Sequence, residues 1–284
     1  MTSENDEATR AWNTVLFDKF VRFKQVLTKG LSQHGEALLA RRPPMSGSRV
    51  LDIGSGFGDM TQLLANRVAP EGVAVGVDVA INFVDAATRD AQQAGVSNAL
   101  FFAADVQTDD LRGPYRAAYG RFGTMFFASP VAAFRNVRRS LAPGGELALV
   151  VWRKREDNPW LYTAESCVRA LVPERVEPDE PTCGPGPFSM RGPDLVSEQL
   201  LAAGFREPTF ERHDADICIG RDLEDAVQFA MALGPAGELL RLAGELGRQK
   251  TPEVMDALRQ ALAVYTRPEG LYAPSSTWII TAKA

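Results

Sequence analysis

At 284 residues the chain is long enough for two average domains or one elaborated α/β domain, and needs neither a disulfide nor a metal to hold a core. Its composition, 45% hydrophobic and 24% charged with Gly 24 and Pro 18, excludes a disordered or collagenous chain. A formal net charge of −5 disfavours unspecific contact with nucleic acid or anionic membranes, and no apolar run approaches the ~20 residues of a membrane span.

Residues 8–41 read as helical, with Phe17, Phe20, Leu27 and Leu31 at helical spacings. Arg41-Arg42-Pro43-Pro44 ends that run, because proline disfavours helix in the residue before it. A short apolar strand at 49–53 enters Gly54-Ser55-Gly56-Phe57-Gly58, and a helix follows with Met60, Leu63, Leu64 and Val68 on one face. The next strand, 73–79, is nearly all apolar, as befits a parallel strand covered on both faces, and carries Asp78 near its end. Val84, Ala87 and Ala91 mark the second helix, stopped at Gly95. A third strand at 99–104 ends at Asp105, and a weaker fourth spans 117–122. Ser129-Pro130 predicts a helix start with Ser as N-cap, and Pro143-Gly144-Gly145 closes that helix before a fifth strand at 146–152. Such alternation predicts a parallel sheet with right-handed crossovers.

Beyond Trp152 the alternation breaks. A helical stretch near 160–171 precedes a Pro/Gly-rich segment at 172–193, then a helix at 194–203 and a strand at 208–219. Three helical patterns follow: 223–233, 238–246, and one capped by Thr251 with Pro252 at its first position. A strand at 276–282 closes the chain.

A strand, a glycine loop and a helix in succession bring backbone close to a nucleotide. The dinucleotide fingerprint wants Gly or Ala at position 59, where this chain has Asp59. A carboxylate there sits where pyrophosphate would lie, which disfavours NAD or FAD. Asp52 adds a second negative charge before the loop, and the two suit a ligand with a cationic amine and no phosphates. Taken singly, Asp52, Asp78 and Asp105 are ordinary loop caps. Together, at three successive strand ends, they point to a ligand.

Val50-Leu51-Asp52-Ile53-Gly54-Ser55-Gly56-Phe57-Gly58 resembles motif I of the class I, Rossmann-like, S-adenosylmethionine (SAM)-dependent methyltransferases. Asp78 resembles the acidic residue that binds the ribose hydroxyls, and Ala104-Asp105-Val106 the segment whose Asp bonds the adenine amino group. Leu141-Ala142-Pro143-Gly144-Gly145-Glu146-Leu147 resembles the signature before strand five. The likeness is close over 45–152 and loose elsewhere, and is similar to the small-molecule branch of ubiquinone/menaquinone-biosynthesis methyltransferases. It implies a seven-stranded, mostly parallel sheet with an antiparallel last strand. The expected division is an N-terminal helical flap at 1–44, a core at 45–219 with an insertion near 153–193, a helical insertion at 220–275 serving as lid or dimer surface, and a final core strand at 276–284. Two features depart from the family: Tyr115-Arg116-Ala117-Ala118 replaces an acidic start to strand four, and the 220–275 insertion splits a usual hairpin.

The implied activity is methyl transfer from SAM, leaving S-adenosylhomocysteine (SAH), to a small apolar or amphipathic acceptor. Oxygen is the expected acceptor atom; nitrogen and carbon are the alternatives. Cofactor contacts are expected from Asp52, Gly54, Ser55, Gly56, Asp78, Val79, Ala104, Asp105, Val106, Arg121 and Trp12, the last from the flap. His34, Arg121 and Tyr119 are the catalytic candidates, with His34 as the base and Arg121 as the holder of an acidic substrate or the SAM carboxylate. His213 reads as a packed or edge histidine. Asn158-Pro159-Trp160 reads either as a wall of the acceptor site or as a helix start with a buried Trp. Two histidines and three widely spaced cysteines, Cys167, Cys183 and Cys218, predict no metal site, reduced thiols and a cytoplasmic setting without a secretory signal. Competing readings are a SAM-binding sensor or partner subunit without catalysis, and a nicotinamide oxidoreductase. No nucleic-acid or membrane partner is expected.

Overall fold

The computed structural model describes residues 4–172 and 185–284. Of the Pro/Gly-rich segment, residues 173–184, including Cys183, lie outside the described residues.

The segment before the sheet is α1 (Glu4–Asn13), α2 (Val15–Arg22), a π-helical turn (Val26–Gly30) and α3 (Ser32–Arg41), where one run over 8–41 was expected. The break has a packing reason. A Cβ on Gly30 would lie 2.4 Å from the Cys218 carbonyl oxygen, so the chain turns where it presses against a distant strand.

The alternating region follows as β1 (Arg49–Ile53), α4 (Asp59–Val68), β2 (Val73–Asp78), α5 (Ile81–Gln93), β3 (Ala99–Ala103), β4 (Tyr115–Arg121), α6 (Pro130–Ser140) and β5 (Leu141–Trp152). Beyond it come α7 (Pro159–Leu171), α8 (Pro193–Ala202), β6 (Arg206–Gly220), α9 (Leu223–Leu233), α10 (Pro235–Leu242), α11 (Gly244–Leu262), the two-residue β7 (Thr266–Arg267) and β8 (Gly270–Lys283). The sheet order is β3-β2-β1-β4-β5-β8-β6, with β7 beside β8. β1 to β5 pair in parallel, and β8 runs antiparallel to both β5 and β6. The sheet is thus mostly parallel with one long antiparallel strand, β8, plus the two-residue β7 at its side.

Several boundaries shift by a few residues from the sequence reading, and three of the differences have structural content. β5 begins at Leu141, so Pro143-Gly144-Gly145 forms an irregularity inside the strand pairing, where the register shifts between Tyr115 and Ala117. α11 runs through Thr251-Pro252, so those residues do not start a helix; the Thr251 hydroxyl instead bonds back to the Gly247 carbonyl at 2.8 Å. β8 begins at Gly270, six residues before the expected strand, which shortens the helical insertion at that end.

Side chains alternate across the central strands and fill two cores. Leu51, Ile53, Val75, Val77, Leu147, Leu149 and Val151 pack with α6, α7, α8 and the inserted helices. Val50, Ala74, Ala148 and Val150 pack on the other face with α3 and α4. Burial on both faces explains the continuous apolar runs of these parallel strands. Among the described residues no helix is long and apolar enough to cross a membrane.

Candidate active site

The switch in strand order between β1 and β4 opens a crevice at the strands' carboxyl ends, where ligands bind in open α/β sheets. Gly54 (φ +67°) must be glycine twice over, since a Cβ there would also come within 2.9 Å of the Gly123 Cα after β4. The loop continues through Gly58 (φ +74°) into α4, whose first residues, Asp59 and Met60, border the crevice.

Three strand ends supply carboxylates. Asp52 on β1 is 1% exposed and accepts a 2.6 Å hydrogen bond from the Thr61 hydroxyl. Burial pushes its carboxyl up to about 7, against the opposing pull of the Thr61 hydroxyl and Arg121. Asp78 on β2 accepts from the Gly56 and Ala80 amides, each at 3.0 Å, which ties the glycine loop to the second strand. Its carboxyl is also raised by burial. Asp105 follows β3, and its Oδ1 accepts from the Gln107 amide at 2.9 Å.

All three line one cavity of about 990 Å³, together with Gly54, Ser55, Gly56, Val79, Ala104, Val106, Arg121 and Trp12. Every residue expected to touch the cofactor is therefore brought to one space. Trp12 of α1 packs edge-on against Phe20 and Phe126 at 5.4 and 5.1 Å, and Asn82 of α5 holds the end of α1 by a 2.7 Å bond to the Asn13 carbonyl. Arg121 at the end of β4 pairs with Asp59 at 2.7 Å, and both side chains line the cavity.

Two catalytic candidates are not brought there. His34 is fully buried; its Nε2 lies 2.8 Å from the Ser275 hydroxyl, which itself donates to the Ala215 carbonyl, so the imidazole is the donor. Burial, aided by His213 and Arg121, pulls its pKa down to about 3. So weakly basic an imidazole, fully buried beside Phe122 and Trp152 and absent from the cavity wall, is not placed to take a proton from a ligand there. Tyr119 is 2% exposed and donates to the Arg42 carbonyl at 3.1 Å; burial raises its phenol well above the ordinary value. Neither residue lines the cavity. His213 does pack as expected, edge-on to His34 at 5.2 Å.

Farther out the cavity is walled by aromatic side chains. Phe122, held at φ +60°, stacks on Trp152 at 4.1 Å, and Trp160 stacks on Phe229 of α9 at 5.8 Å. Of Asn158-Pro159-Trp160, the helix start with a buried Trp is what forms: Pro159 opens α7 and Trp160 is 5% exposed, while its ring also lines the cavity. Sequence reasoning missed Phe229, Glu238 and Arg241 of the insertion, because helical periodicity marks an apolar face without saying what it covers.

Sheet order, loop and strand-end carboxylates define a class I, Rossmann-like methyltransferase fold. Residues 50–145 match the family model described as a methyltransferase domain. The chain is 28% identical over 115 residues to an aklanonic acid methyltransferase of Streptomyces sp. (strain C5), covering 40% of this chain and 52% of the relative. It is 30% identical over 118 residues to a ubiquinone/menaquinone biosynthesis C-methyltransferase of Pseudomonas aeruginosa, covering 40% and 45%. It therefore spans about half the length of these curated relatives. The solved structure of Haemonchus contortus phosphoethanolamine N-methyltransferase 2, with SAH bound, superposes with a TM-score of 0.57 at 16% identity, over 100% of this chain and 61% of that one. Residues 50–145 thus form a methyltransferase domain, set in a chain whose overall fold is that of the class I SAM-dependent methyltransferases.

Proposed function

We propose that the protein transfers the methyl group of SAM to an oxygen of a small, amphipathic acceptor. The observation that carries this reading is the continuity of one cavity, from the glycine loop and strand-end carboxylates to an aromatic chamber beyond β4 and β5. The loop residues fit the cofactor by their own geometry. A Cβ on Gly56 would meet nothing within 4 Å, so backbone there is open to a ligand, and the buried Ser55 hydroxyl has no partner among the described residues.

In this reading Asp78 and Val79 hold the ribose, and Ala104, Asp105 and Val106 hold the adenine. Gly54, Ser55 and Gly56 line the methionine end, with Asp52 facing its amine, Arg121 its carboxylate and Trp12 covering the whole. When bound, SAM supplies a methyl group already activated on a cationic sulfonium. The chain then has to align an acceptor and exclude water, and alignment of this kind is worth up to ~7–11 kcal/mol. Phe122, Trp152 and Trp160 are placed to do both.

The test is incubation with methyl-labelled SAM and a panel of carboxylic acids, phenols, amines and carbon nucleophiles. Label on an oxygen is the expected result. Label confined to nitrogen or carbon overturns the oxygen assignment. Firm cofactor binding without transfer to any of them favours the non-catalytic sensor.

A further inference from the structure

The cavity is polarised. Among its described lining residues, the loop and strand-end side carries Asp52, Asp59, Asp78 and Asp105 against Arg121 alone. The covering elements reverse that sign: Arg10 and Lys19 come from α1 and α2, Arg155 and Arg191 flank α7 and α8, and Arg241 sits on α10, against the single acid Glu238. Arg241 hydrogen-bonds Glu238 at 2.8 and 2.9 Å and holds its carboxyl below the ordinary value. No histidine or tyrosine appears among the described lining residues. The covering side so described offers cations and aromatic side chains, and its one carboxylate, Glu238, is held by Arg241; the cavity's other carboxylates all lie on the loop and strand-end side, away from the acceptor.

From this split we infer that the acceptor is a planar, conjugated anion whose reacting oxygen is a carboxylate or a comparably acidic enol or phenol. The inference rests on the methyl-transfer reading above. Two stacked aromatic pairs, Phe122 with Trp152 and Trp160 with Phe229, line the cavity, and an aromatic lining of this kind suits a flat ring system. Arg155 supplies the anchoring charge. Its Nη1 holds Glu165 at 2.7 Å, while its buried Nε has no partner among the described residues. Transfer to such an oxygen balances without a base. The O–CH3 bond forms as the S–CH3 bond breaks, the electron pair goes to sulfur, and anion and sulfonium charges cancel with no proton released. An aspartate-rich side for the cation and a basic side for the anion match that pair of reactants.

The experiment titrates the full chain, loaded with SAH, with anthracene-2-carboxylate, anthracene-2-carboxamide and decanoate by calorimetry. Loading with SAH is measured first, and failure at that step overturns the cofactor reading itself. With SAH bound, the flat carboxylate is expected to bind at least about tenfold more tightly than the flat amide or the flexible acid. Arg155→Gln is expected to erase most of the difference between carboxylate and amide; Glu165 keeps its Arg169 partner in that variant. Equal or tighter binding of the amide or decanoate overturns the inference, as does binding of none of the three. An Arg155→Gln protein that keeps the full preference removes Arg155 as the anchor.

Discussion

With Asp52 facing the cofactor amine as proposed, cofactor binding is predicted to depend on pH. The Asp52 carboxyl, raised to about 7 by burial, is about half protonated in the free protein at neutrality and largely protonated about a pH unit below, whereas a cationic ligand amine favours the carboxylate. SAM affinity is therefore predicted to weaken by up to about tenfold per pH unit below 7, and binding near pH 7 to release a proton. Titrations at several pH values in buffers of different ionisation enthalpy read both effects; an affinity flat from pH 6 to 8 contradicts the assignment. Asp78→Ala is predicted to cost about 1–3 kcal/mol of SAM binding through lost charge-assisted hydrogen bonds. His34 affects stability instead. Its folded pKa lies below the unfolded value of 6.5, so the unfolded chain gains protons that the folded chain refuses as pH falls below 6.5. The stability gap between wild type and His34→Gln, measured by denaturant titration, is predicted to be widest above pH 7 and to shrink towards pH 5. The burial that sets this behaviour was not legible in the sequence, because the Ser275 partner lies 241 residues away.

Elements in the alternating region were legible because each strand is buried on both faces and each turn carries its own glycine or proline signal. Asp52, Asp78 and Asp105 could be placed from spacing alone, since the parallel crossovers deliver successive strand ends to one edge. The first helices and the insertion were less legible. Their breaks answer to contacts with distant segments, as Gly30 answers to the Cys218 carbonyl, and α11 passes Pro252 although proline removes a helix hydrogen bond there. The glycine loop gives the sharpest prediction at this scale. Gly54→Ala combines a left-handed backbone with a 2.9 Å approach to Gly123, so it should destabilise by more than about 1 kcal/mol and abolish cofactor protection in thermal melts. A Gly54→Ala protein that melts like wild type and is still stabilised by SAH contradicts the close packing of β1 and β4 at the site.

Over the whole molecule, the sheet gathers acids at its carboxyl edge, while the helices before it and those between β6 and β8 bring aromatic rings and cations to the same cavity. Their cavity of about 990 Å³ lies at the upper end of the roughly 300–1,000 Å³ common for small-molecule sites, the size the proposed pairing of cofactor and acceptor needs. The central claim is that its inner part is built for SAM. Calorimetric titration of the purified protein with SAM, SAH and NADH tests this most directly. Micromolar binding of SAM and SAH with no heat from NADH is the predicted result; NADH binding, or silence from both SAM and SAH, contradicts it.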